Sequence, residues 1–585
     1  MFAVLACSTA LHAQTAFFPL KDIHAGLRGT GRTIFSGNQI EDFQVEVLGV
    51  LDNFGPKESL ILARLSGGPL EHTGVMQGMS GSPVYFEGKL AGAVAMAFPY
   101  SKDPIAGIRP IEEMVRIPAA AVPARAGNLR RAAVGLADRD VLHVLSRPQA
   151  VSTGDARLVE IATLISFGGF SRATLDAFAP QLRPLGLEPR QSVNGGAKAG
   201  AAMGNPADLK PGSMISVQLV SGDFNVAADG TVTHIDGNRV YAFGHRFLDI
   251  GPTALPFSRS EVITLVPNVN TSFKLSTSKE WMGTIHQDRD TAIAGELGTR
   301  PQLVPVSISV FRGAQPVETY SVQMVNDALL SPLLLQMAVY STIDATERTV
   351  GAGTIRISGE IEFQDGPGPI KLDNMFAADN GSAMQGSLSA AIPVAYVMQS
   401  GFSDLQLKKV AIRVDAFDQK KQLSIDGVFT GRREVRPGEK VDLNVVLTGE
   451  NGAEMTRQVS FNVPTGAEPG PLYFTVADAN TTNLTDFRQI LTAAPRNTAQ
   501  LFANVNNLHP NTKAYLRVWR ANPAFQLEGA DLPDPPASIA MILGSTQPSH
   551  AAVAQNRNSK IFEMELDGAG MVISGVKTVQ VDIKE

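Results

Sequence analysis

One cysteine, Cys7, is all that the 585 residues contain, and that scarcity excludes a disulfide scaffold and any cysteine-based metal cluster. A basic excess is also missing. The 50 Lys and Arg against 56 Asp and Glu leave a formal charge of −6, so no basic surface speaks for nucleic acid. Charged residues reach only 18%, below the roughly 25% usual in soluble domains. Beyond the N-terminus no run of 18 or more apolar residues suggests a membrane span. No H-E-x-x-H motif or clustered carboxylates suggest a metal, and no cofactor is expected. Aromatic content is mostly phenylalanine, 28 against 8 Tyr and 2 Trp, which suits cores better than a sugar-stacking surface.

What is present is turn-rich: 54 glycines and 36 prolines among short apolar alternations. That pattern predicts a mainly β chain, and the length of 585 residues suggests roughly three to four domains. The first residues, MFAVLACSTALHAQ, form an apolar run whose Ala-Leu-His-Ala end fits an A-x-A-like cleavage site. Residues 1–13 are therefore expected to be a signal peptide, which would remove Cys7 and send the protein to the periplasm or outside the cell. Phe43 to Val50 alternates with period two, as a half-buried strand does. Val84-Tyr85-Phe86 and Leu90 to Val94 flank Glu87-Gly88 and predict a hairpin. Helical spacing predicts helices over 326–346, 387–399 and 484–491. Strands from Val410 to Val476, around the turn Arg436-Pro437-Gly438-Glu439, suggest an immunoglobulin-like β-sandwich. The expected divisions are 14–117, a linker and mixed segment 118–208, 209–315, a mixed segment with helices 316–405, the sandwich 406–480 and a mixed α+β region 481–585.

Two segments carry chemistry. In Gln77-Gly78-Met79-Ser80-Gly81-Ser82-Pro83 a serine stands between glycines on a turn, then a proline leads into an apolar hairpin. Glycines there let neighbouring N–H groups converge on one spot, an oxyanion hole. The pattern is not G-x-S-x-G, because position 82 is serine, so an α/β-hydrolase elbow is disfavoured. A serine nucleophile needs a base, and His245 stands out among nine histidines because it follows an apolar strand and Gly244.

Together these segments resemble the SpoIVB family of serine peptidases, which are chymotrypsin-like. The resemblance runs from Thr73 through Val94 towards Ile108-Arg109-Pro110-Ile111-Glu112-Glu113-Met114, and resumes at Gly244-His245 with Asp249 and at Gly283 to Gln287. It implies a split β-barrel region divided between 14–117 and 209–315. It further implies Ser80 as nucleophile, His245 as general base, and the Gly78 and Ser80 amides as oxyanion hole, with a protein or peptide as substrate. The order of the halves is reversed, since the family's histidine half precedes its serine half. The family's aspartate shortly upstream of the serine has no counterpart in Ala63 to Glu71, and no PDZ domain is recognisable. Asp249 and Asp223 are candidates to substitute. The alternative reading is a peptidase-like protein with little or no activity that acts as an extracytoplasmic binding or structural module.

Overall fold

A computed structural model describes residues 17–118, 136, 158–192, 202–346, 350–402, 405–490, 495–522, 524–527, 530–532, 535–545, 553–556 and 558–585. The expected signal peptide and residues 119–135, 137–157 and 193–201 of the expected linker and mixed segment lie outside the described residues. The chain is mainly β and divides into two compact units, residues 1–127 with 145–303, and residues 128–144 with 304–585.

The first unit begins with six strands: β1 (Arg28–Ser36), β2 (Gln39–Gly55), β3 (Glu58–Ser66), β4 (Pro83–Phe86), β5 (Lys89–Ala97) and β6 (Ile105–Pro110). They pair in the order β4-β1-β2-β3-β6-β5, and β5 pairs back onto β4, closing a six-stranded barrel. Closure leaves no unpaired edge in the ring. Alternation drives it: in β2, Phe43, Val45 and Val47 are buried while Gln44 points to solvent. These side chains join Ile61, Leu65, Val84, Phe86 and Val94 in one core. The β4–β5 hairpin turns on Glu87 and Gly88, both at positive φ (50° and 77°), as the tight primed turns of hairpins require. Two short helices flank the ring, α1 (Leu70–Thr73) and α2 (Ile111–Met114).

Next come β7 (Val159–Glu160), β8 (Thr163–Gly168), α3 (Arg172–Leu182) and β9 (Leu187–Gln191), with β7 added antiparallel to β5. A second ring follows: β10 (Met214–Gly222), β11 (Asn225–Asp236), β12 (Arg239–Ala242), β13 (Gly251–Val266), β14 (Phe273–Arg289) and β15 (Ala292–Leu297). Here β10 pairs with β13, then β14, β15, β12 and β11, and β11 returns to β10. The first unit thus holds two six-stranded barrels, the arrangement a chymotrypsin-like split barrel calls for. They meet where Ile111, Met114 and Ile117 pack against Tyr241, Ala292 and Ala294.

In the second unit strands Leu303–Arg312 and Leu407–Phe417 pair in parallel, and Val350–Phe363 joins the latter antiparallel. Helices Leu330–Thr346 and Ser382–Met398 accompany them, with Gly386 lying against Ile343 and Ile357. The first begins later than helical spacing from 326 predicts. Asp327 stands outside it and accepts the N–H groups of Leu329 and Leu330 as a cap. The helix predicted from 484 begins at Ala479.

Two further sheets pack around one core that includes Val445, Leu447, Phe474, Leu516 and Val581. This sandwich is wider than the 406–480 expected of it. Strands Val572–Ser574 and Val576–Ile583, from the far end of the chain, complete the two sheets, while Leu407–Phe417 pairs elsewhere. The sheets include parallel pairings of Gln422–Thr430 with Val572–Ser574 and of Glu434–Val435 with Val576–Ile583, so the pairing does not follow the expected immunoglobulin pattern. Alternation reads each strand's buried face but not its long-range partner.

Phe43 fills the first barrel against Gly31, where a Cβ would lie 2.1 Å from its ring tip. Phe43→Ala is expected to destabilise this barrel by about 3–5 kcal/mol. Faster native-state hydrogen exchange at the β1–β3 amides, with the second unit's amides unchanged, would measure it.

Candidate active site

Ser80 lies in the turn that leads into β4, and His245 follows β12, so each barrel contributes one of the two residues. The serine turn is fastened to the second barrel through its backbone. The N–H of Thr231 donates to the Ser80 carbonyl at 2.8 Å, the Thr231 hydroxyl to the Gly78 carbonyl at 2.8 Å, and the Thr233 hydroxyl to the Gly81 carbonyl at 2.7 Å. Gly81 takes a φ of +91°, and a Cβ there would fall 2.0 Å from the Thr231 carbonyl oxygen and 2.5 Å from the Phe243 nitrogen. Only glycine fits. The serine segment therefore touches the chain two residues ahead of His245. Gly244 completes the approach from the other side, its missing Cβ 3.2 Å from the Val94 carbonyl, which also accepts the N–H of Gly81 at 2.7 Å.

Within the turn the amides divide into two groups. The N–H groups of Gln77, Met79, Gly81 and Ser82 donate to the carbonyls of Ser272, Met76, Val94 and Met79. Those of Gly78 and Ser80 donate to no acceptor among the described residues. Buried amides are rarely left without an acceptor. The two free ones flank Met79 on either side.

His245 is 1% exposed, as is Ser80. Its Nδ1 lies 2.6 Å from the Arg246 carbonyl oxygen, and a carbonyl can only accept, so Nδ1 carries the proton. Nε2 is buried and has no hydrogen-bond partner among the described residues, Ser80 included. That tautomer leaves a lone pair on Nε2, the state a general base needs. Burial pushes the imidazole down to about 4; the Arg246 carbonyl raises it, and the Arg109 charge lowers it further. The group facing Nδ1 is thus a backbone carbonyl where a serine triad has a carboxylate.

Asp288 organises the loop that presents this carbonyl. It is buried and accepts the N–H groups of Phe247 (2.8 Å), Leu248 (2.7 Å) and Ile250 (3.3 Å). Burial raises its carboxyl to about 6 against the pull of these amides. Arg246 pairs with Asp290 at 2.8 Å and Glu160 at 3.2 Å. Arg109, 2% exposed, is anchored by Glu58 and Glu113. Beneath the turn lies a second buried network. The Lys274 ammonium donates to the Thr33 hydroxyl at 2.6 Å, which also accepts from Ser82 at 3.0 Å. The Lys274 stem supports Gly78, 3.2 Å from its missing Cβ, and burial lowers the amine to about 7. Asp229, held by Ser216 and Ser276, supplies the nearby negative charge. Sequence spacing singled out none of Asp288, Arg109, Lys274 or Asp229 as site residues. Asp288 and Lys274 find their partners about forty and more than two hundred residues away in the chain.

The glycine-flanked serine and the barrel around it lie in a span that matches a known family. Residues 19–115 match the SpoIVB peptidase S55 family. The S55 span takes in the whole first ring, the serine turn and Arg109 with Glu113; His245 lies outside it. Among curated proteins and solved structures, none matches the chain. No group of three or more His, Cys, Asp or Glu suited to a metal ion occurs among the described residues.

Gly81→Ala is expected to cost more than the roughly 1–3 kcal/mol of a strained φ alone, because the added Cβ also meets backbone. A drop in the thermal midpoint would record it. His245 contributes a definite pH dependence. Its folded value near 4 lies below its ordinary 6.5, so the unfolded chain binds the extra proton between those values. Its stabilising contribution is complete above pH 6.5 and is lost as pH falls towards 4, by up to on the order of 3 kcal/mol. The stability difference between wild type and His245→Gln, measured by urea unfolding at pH 4.5 and 7, should grow with pH.

Proposed function

We propose that the chain is a serine peptidase of the SpoIVB S55 type, acting on a protein or peptide by acyl transfer. The observation that carries this reading is the pair of unbonded N–H groups at Gly78 and Ser80, in a turn docked two residues from His245. In this mechanism Nε2 of His245 takes the proton of the Ser80 hydroxyl as its oxygen attacks a peptide carbonyl. The carbonyl oxygen, now negative, is held by the Gly78 and Ser80 amides. Nδ1–H stays on the Arg246 carbonyl throughout, which keeps the ring oriented. The imidazolium then protonates the leaving amine, and water, activated by the same Nε2, releases the acyl group. Asp288 acts as a positioning residue through the 246–250 loop. The apolar stretch at 1–13, with its small-residue end, supports export to an extracytoplasmic compartment.

A second reading has an observation of its own. Ser80 and His245 are each 1% exposed and not bonded to one another, a closed centre that suits a peptidase-like binding module.

Fluorophosphonate labelling separates the two. Wild type should be labelled, Ser80→Ala not at all, and His245→Ala at least about 100-fold more slowly. The rate should rise through pH 4 and be level by pH 6, following the lowered imidazole. A wild type that stays unlabelled at pH 8 would leave the binding module as the surviving reading.

A further inference from the structure

A cavity of about 340 Å³ opens in the first unit beside the serine turn. It is walled by α1 and its exit, by the β5–β6 connection, by β7, and by the 268–272 connection between β13 and β14. Three observations define what it can hold. First, Gln77, the residue before Gly78, lines it; this residue is 3% exposed, and its Oε1 accepts no hydrogen bond among the described residues. An acceptor left unmet in a buried place calls for an N–H donor. Second, the charges are unbalanced. Glu71 and Asp103 have no ion-pair partner among the described residues, Glu160 is satisfied by Arg246, and Lys102 is the one unpaired lysine or arginine in the lining. Third, the wall carries apolar surface at Ala97, Ile105 and Ile161, with Tyr100 and Val159 exposed at 73% and 42%. Apolar walls with carboxylates suit a side chain that is aliphatic along its stem and cationic at its tip.

The backbone adds a direction. β7 pairs with β5 through Met96–Glu160 and Ala97–Val159, and no strand pairs with its other edge among the described residues. An extended peptide can add there as a further strand while one of its side chains enters the cavity. We propose that this cavity is a subsite for an arginine or lysine side chain of an extended peptide bound along β7. The proposal deepens the peptidase reading and rests on it only in that the peptide is the substrate.

The test uses binding, so that it does not depend on turnover. The full chain carrying Ser80→Ala is titrated calorimetrically with acetyl-Ala-Ala-Arg-amide, acetyl-Ala-Ala-norleucine-amide and acetyl-Ala-Ala-Glu-amide. The arginine peptide should bind at least about tenfold more tightly than the norleucine peptide, and the glutamate peptide no better than norleucine. Adding Glu71→Gln and Asp103→Asn should shrink the arginine preference to within about threefold while leaving norleucine affinity unchanged. Equal affinity for arginine and norleucine, a preference that survives both substitutions, or no binding of any peptide at millimolar concentration would overturn the subsite. Fluorophosphonate labelling of wild type is scored separately. An unlabelled protein that still prefers arginine overturns the peptidase reading alone, and a labelled one without the preference overturns the subsite alone.

Discussion

The approach of Gly81 to Thr231 and Phe243 is the contact on which the rest of the site depends. No side chain stands between the two backbones, so the serine turn and the strand that leads to His245 are held at main-chain distance. Thr231 and Thr233 then fix the turn from one side and Val94 from the other. With four of the turn's amides committed to neighbouring carbonyls, its curvature is set, and the Gly78 and Ser80 amides are left over. The two unbonded amides are thus a by-product of how two barrels dock.

Much of this was legible in the residues. Period-two alternation identified the strand from Phe43, and the apolar runs on either side of Glu87-Gly88 the hairpin, because each depends on neighbours within a few positions. The serine turn was legible because glycine and proline restrict the backbone locally. Barrel closure was not readable. It rests on pairings such as β15 with β12 and β11 with β10, whose register is chosen by strands far apart in sequence. Asp288 was hidden for the same reason. Its three donors lie about forty residues upstream, and nothing in Gln287-Asp288-Arg289 announces them. The sandwich, expected to close by residue 480, instead takes strands from the last residues of the chain.

The histidine's environment departs from a triad in an instructive way. A carboxylate beside Nδ1 would orient the ring and also stabilise its cation. The Arg246 carbonyl does the first and contributes only a dipole to the second, while Arg109 and Arg246 act against the cation. Orientation and charge stabilisation, usually supplied by one group, are separated here. The loop geometry provides orientation, and Asp288 provides the loop geometry.

Lys274 on β14 and Asp229 on β11 both belong to the second barrel, and Lys274 reaches the first by donating to Thr33, which also accepts from Ser82. A buried charge contributes little net stability, but it tolerates few alternative placements. A one-residue slip of β14 would carry the ammonium to the opposite face of its strand, away from Thr33 and Asp229. The pair therefore acts as a key for assembly: misregistered packings of the two barrels strand a charge in an apolar interior, and the native one does not.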